Sequence, residues 1–248
     1  MTTFSCSLDH PLFAGRTGHG IRVAVLDSGI HPGNPHVGRA TAGVYITPDG
    51  ETDDALDRLG HGTAVAAAIL EKAPGIELVV VRVFDRTLAT SAAVLARAIE
   101  WAADHECRLI NLSLGTPNAE RAAMLGEAVA LAAARGALVV SARELDGVRW
   151  FPGCLENVAG VSLDHDCARD ELRVSLDPAD QTSFRASGLP RPIPGVPTKR
   201  NVRGISFAVA NTTGFLARLF EAFPELRTPR DIAHHVTSQH RPVHRRGR

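Results

Sequence analysis

Three side chains with complementary chemistry stand where the local pattern of this sequence changes. Asp27 ends the apolar run IRVAVLDSGI (21–30). His61 lies between two glycines in LGHGTAVA (59–66), and Ser206 opens SFAVANTTGFLARLFEAF (206–223). Each alone has an ordinary reading: a turn aspartate, a loop histidine, an N-capping serine. Together they are an acid, a base and a nucleophile. A serine hydroxyl attacks poorly until a base takes its proton, and histidine is the side chain that titrates nearest neutrality. A carboxylate beside the imidazole would fix its tautomer and stabilise its charged form. At the start of a helix, the amide of Ser206 would face a developing oxyanion, with Gly204 giving the backbone room.

Such a set works only if distant segments meet. By subtraction, 34 positions separate Asp27 from His61 and 145 separate His61 from Ser206. The chain reads as alternating elements. Residues 21–30, 76–84, 107–115, 137–140 and 156–163 form short apolar strands, and helices are expected after His61 and over 91–106, 118–136 and 206–223. Strands apolar on both faces, separated by helices, indicate a mostly parallel central sheet with helices on both faces, a three-layer α/β fold. Residues 37–60 read as polar turns, and 177–203, rich in Pro, Gly and Arg, as loop. No linker or repeat divides the chain. One domain is expected over 21–240, with an N-terminal extension (1–20) and a basic flexible tail (241–248).

Composition narrows the class. Among 248 residues, 27 basic and 27 acidic side chains cancel, which argues against a nucleic-acid or anionic-membrane partner. No signal peptide or spanning segment is visible, so a cytoplasmic location is expected. Cys6, Cys107, Cys154 and Cys167 follow no metal-ligand spacing and are expected as free thiols, a Cys154–Cys167 disulfide being the alternative. No carboxylate cluster suggests a calcium cage, and neither metal nor cofactor is expected.

The segments VAVLDSG (23–29), LGHGTAVA (59–66) and GISFAVA (204–210), in this order, resemble the three signature segments of the subtilisin-like serine proteases. The resemblance runs from about residue 20 to 220 and implies a compact single-domain subtilisin-like fold, with Asp27, His61 and Ser206 as the triad of an acyl-enzyme mechanism. It makes LSLG, residues Leu112, Ser113, Leu114 and Gly115, the edge that pairs with an extended peptide or protein substrate. It makes WFPG (150–153) the aromatic-proline turn near the specificity pocket, with a cis Phe151–Pro152 bond.

The pattern departs from the family at one chemically sensitive place. Family members usually end the strand equivalent to 137–142 in Gly-Asn, whose amide serves the oxyanion. Arg143 and Glu144 stand there instead. Ile205 replaces the usual threonine, Ala210 the usual proline, and Ala64 a second histidine. Losing one oxyanion donor costs roughly 10²–10³ in turnover. Three readings follow: Glu144 donates as a protonated acid, Arg143 swings in as donor, or the site is degenerate. The sequence thus suggests a slow or narrowly specific endopeptidase, suited to maturing a dedicated precursor peptide. The alternatives are a pseudoprotease that binds peptides, and a macrocyclase or transpeptidase.

Overall fold

In the computed structural model, residues 2–38, 41–177, 182–195 and 202–239 are described. Among the described residues eleven strands form one sheet: β1 (Thr2–Ser7), β2 (Arg22–Asp27), β3 (Thr41–Thr47), β4 (Gly50–Thr52), β5 (Glu77–Arg82), β6 (Leu109–Leu112), β7 (Leu138–Leu145), β8 (Val148–Arg149), β9 (Val158–Leu163), β10 (Glu171–Leu176) and β11 (Thr182–Ala186). The helices are α1 (His61–Lys72), α2 (Ala92–Asp104), α3 (Ala122–Ala134), α4 (Ile205–Ala222) and α5 (Pro229–Ser238), with a 3₁₀ turn at Ala119–Arg121.

The sheet order is β1-β10-β11-β9-β7-β6-β2-β5-β3-β4, with β8 folded back on β7. From β11 to β3 every pairing is parallel. Antiparallel strands close both ends. Alternation along each strand builds the layers. Val23, Leu109 and Val140 face α4, and Val25 faces α1 with Phe207 and Ala210. Ala24, Leu26, Ile110 and Val139 face α2 and α3 on the other side. The expected three-layer α/β architecture is therefore present. Because β5 and β6 flank β2 on opposite sides, the chain reverses its direction of winding there, and the carboxyl ends of β2 and β6 diverge into a crevice.

The structure also differs from the sequence reading. Residues 2–7 are the edge strand of the sheet, and Leu12 and Phe13 are buried in its core, so this segment is more than an extension. The stretch 37–60 contains β3 and β4, and the sequence before and within 177–203 contributes β10 and β11. Helix α5 begins with a capping box in which Thr228 and Asp231 bond reciprocally to backbone amides. The basic tail at 241–248 lies outside the described residues.

The fourth core strand does not stop at Ala142. It continues to Leu145 and turns back through Asp146 and Gly147 into β8. Both turn residues have positive φ, 52° and 77°, the geometry that two-residue hairpins demand and that Asp-Gly satisfies. The pairing with β9 shifts between Ala142 and Glu144, so Arg143 is an extra, bulged residue. A bulge re-aims a side chain, and here that decides where the cation points.

Candidate active site

Each triad candidate is delivered to the crevice by a different element. Asp27 is the last residue of β2 and is 1% exposed. His61 is the first residue of α1. The imidazole Nδ1 and Asp27 Oδ1 are 2.7 Å apart, and the same oxygen accepts the Ser28 amide at 2.8 Å. Asp27 Oδ2 is buried without a hydrogen-bond partner, so the contacts concentrate on the imidazole side. The close approach depends on glycine. A Cβ on Gly62 would lie 2.3 Å from the Gly29 carbonyl oxygen, and Gly29 itself has φ 105°. The DSG and HGT motifs are therefore two turns in direct backbone contact.

Asp57, which the sequence reading passed over, holds this junction. Its carboxylate accepts the amides of Leu59, Gly60 and Thr63 and the hydroxyls of Ser28 and Thr63, at 2.6–2.9 Å. Ser28 Oγ in turn accepts the Gly62 amide. Burial opposes ionisation of Asp57, but these donors outweigh it and hold its carboxyl below the usual value. A carboxylate four residues before the histidine of a Gly-His-Gly was the available signal. For His61, burial disfavours the charged ring. The Asp27 hydrogen bond and the charges of Asp27 and Asp57 outweigh that, and its pKa rises above 6.5.

Ser206 lies in the first turn of α4, one residue inside the helix rather than at its cap, where backbone N–H groups lack intrahelical acceptors. Its amide thus comes from the pole of the helix that favours negative charge. Gly204, the cap, is extended with φ 164°, and a Cβ there would meet nothing within 4 Å. The room expected from Gly204 is not what the backbone needs. The Ser206 hydroxyl donates to the Ser113 carbonyl at 3.2 Å, and Ser113 Oγ donates to the Ser206 carbonyl at 3.3 Å. Behind them a buried relay runs from Thr213 through Asn111 to Ser113. The imidazole makes no hydrogen bond to Ser206 in this arrangement. Both residues line one cavity of about 700 Å³.

Ser113, Leu114 and Gly115 line the same cavity, whereas Leu112 is a buried residue at the end of β6. Beyond Gly115, Thr116 and Phe151 exchange two backbone bonds of 2.9 and 2.8 Å. The Phe151–Pro152 bond is cis. Trp150 reaches the cavity from this turn. Arg143 and Glu144 do not line it. The bulge aims Arg143 at the Thr182 carbonyl, 3.0 Å away, in a separate cavity with Cys154 and Arg230. Glu144 is exposed in the hairpin, opposite Arg149. Among the described residues no group of three or more His, Cys, Asp or Glu is placed to hold a metal ion.

A family model described as the subtilase family matches residues 18–143. The chain belongs to the subtilase family. The match ends at the bulge, where the hairpin begins. Subtilisin Savinase of Lederbergia lenta is 33% identical over 214 residues, covering 80% of this chain and 72% of that protein. The alkaline protease of Alkalihalobacillus alcalophilus is also 33% identical over 214 residues, but this chain spans only about half of it, 51%. Among solved structures, a cold-adapted subtilisin-like serine proteinase superposes with a TM-score of 0.70 at 21% identity, over 89% of this chain and 82% of that one. Proteases from Pseudoalteromonas arctica PAMC 21717 give 0.69 at 20% identity, over 95% and 87%. These structures share the fold, and the relatives make this subtilase a subtilisin-like serine protease.

Proposed function

We propose that this subtilase cleaves peptide bonds through an acyl-enzyme, with Ser206 as nucleophile, His61 as general base and Asp27 as its orienting acid. The observation that carries the reading is the 2.7 Å Asp27–His61 contact in the cleft that also holds Ser206. With Nδ1 engaged by the carboxylate, Nε2 is left as the proton acceptor. Attack requires the Ser206 hydroxyl to leave the Ser113 carbonyl for the imidazole, a change between staggered side-chain rotamers. Its oxygen then adds to the substrate carbonyl, the proton passes to His61, and His61 returns it to the departing amine. Water completes the cycle with the same base.

The Ser206 amide serves the oxyanion. Arg143 and Glu144, turned away from the cleft, are weak candidates for a second donor, and a missing donor costs roughly 10²–10³ in turnover. This supports a slow or narrowly specific enzyme, and within that reading a dedicated precursor peptide, bound extended along Ser113–Gly115, is the substrate. A cytoplasmic setting belongs to the same proposal; the unpaired state of all four thiols supports it. The second reading, a peptide-binding pseudoprotease, is favoured by the Ser206–Ser113 bond.

A fluorophosphonate separates the two. Mass spectrometry is expected to find the adduct on Ser206, absent in Ser206→Ala and strongly reduced in His61→Ala. Wild-type protein without adduct, yet still binding peptides, would establish the pseudoprotease.

A further inference from the structure

We propose that Arg121 makes the cleft selective for peptides with an acidic side chain at one position near the scissile bond. This rests on the peptidase reading of the same cleft and names its substrate class. The walls around Ser206 and His61 are mainly apolar, with Phe84, Leu88, Leu95, Leu114 and Met124 among them. Among the described residues of the lining, His61 and Arg121 carry the ionisable cationic groups, and no aspartate or glutamate is present. His61 is already engaged by Asp27, so a peptide entering this cleft meets the Arg121 guanidinium with no carboxylate in the lining to neutralise it.

Among the described residues Arg121 has no counter-ion of its own, in contrast to several other arginines of the molecule. Arg22, Arg58, Arg82, Arg135, Arg169 and Arg173 all pair with carboxylates of the chain. No ion pair or side-chain hydrogen bond joins the Arg121 guanidinium to any described residue. Its backbone is nonetheless fixed. Asn118 Oδ1 accepts the Glu120 amide at 2.9 Å, the Asn118 carbonyl accepts the Arg121 amide at 3.1 Å, and α3 begins at the next residue. The guanidinium is thus carried on a set pedestal, with Met124 one helical turn away on the same wall. A planar fork of donors over an apolar surface is suited to a carboxylate, because the pair is less screened there than in open water.

The experiment walks one glutamate along an acetylated ten-residue peptide of alanine and leucine, each member paired with its glutamine twin. Binding to the Ser206→Ala protein is read by fluorescence polarisation, so turnover is not needed. One position is expected to bind about tenfold tighter with Glu than with Gln. The preference should shrink at 0.5 M salt, vanish in Ser206→Ala/Arg121→Gln and return in part with Arg121→Lys. Since Arg121 is exposed, these variants should fold. Equal affinities at every position, a preference that survives Arg121→Gln, or no binding by any member overturns the proposal. Phosphonate labelling of Ser206 reports on the peptidase reading independently. A charge preference without labelling would retire the peptidase reading and leave Arg121 selecting acidic peptides for binding alone, whereas labelling without a charge preference would overturn this proposal and keep the peptidase.

Discussion

At the scale of single residues, the decisive relation is a buried carboxylate against an imidazole whose outer nitrogen is open. His61 must be neutral to act as base, and although burial works against its charged form, the Asp27 hydrogen bond and the nearby carboxylates raise its pKa above that of an ordinary histidine. Acidification should therefore remove activity at a higher pH than an ordinary histidine would dictate. The acid limb of kcat/KM is expected to have its midpoint above 6.5 and to move down in Asp27→Asn, together with a loss of about 10⁴ in kcat. A wild-type midpoint below 6.5 would contradict the placement of these charges. The three triad residues were legible because each carries its own local motif. The fate of Arg143 and Glu144 was not. Their types suggested oxyanion donors, but direction depends on a bulge, and a one-residue shift of pairing sends a side chain to the other face.

Between residues and the whole, the turn from Asp57 to Thr63 is the element on which the site depends. It presents His61 with little help from apolar packing, through five bonds to one carboxylate. Asp57→Asn keeps the shape but removes acceptor capacity, leaving buried donors unmet. Unfolding in urea at pH 7 is expected to show a loss of about 2–3 kcal/mol. The pH dependence has a fixed sign. The Asp57 carboxyl is held below its usual value when folded, so its contribution is present above the unfolded pKa and fades as pH falls through the folded one. Wild type and variant should converge in acid. Helices α1 to α4 were legible from apolar periodicity and glycine stops. The Asp146-Gly147 hairpin had a legible turn signal, though a charged Arg-Glu pair masked the strand around it. Strands β10 and β11 were missed because Arg173 and Arg185 interrupt the apolar run. Their charges are met by Asp164 across the sheet, a partner that only folding reveals.

Taken as a whole, the molecule is one sheet, closed at one end by β1, which is distant in sequence from its partner β10, and at the other by the local β3–β4 hairpin. The edge strand β1 pairs along six positions with β10. Removing residues up to Ser7 strips that pairing and the burial of Cys6, and should lower stability on the order of a few kcal/mol. The thermal transition should fall, and the bared edge should promote self-association, seen by light scattering. A truncated protein as stable as the full chain would mean that β1 only decorates the sheet. The parallel core was legible as a class, but strand order was not, because it follows from crossovers and not from the composition of any segment.

The one-way run of the sheet gives the body a front and a back. Asp27 and the segment after β6 open at the front. Helix α2 ends at Asp104 and α3 at Ala134, and β6 and β7 begin after them at Leu109 and Leu138, on the back. The Arg135–Asp104 pair ties these ends together, and Arg108 bonds the Gly136 carbonyl beside them. A tether, affinity handle or inserted reporter placed there would therefore leave the mouth turned to solution, whatever passes through it.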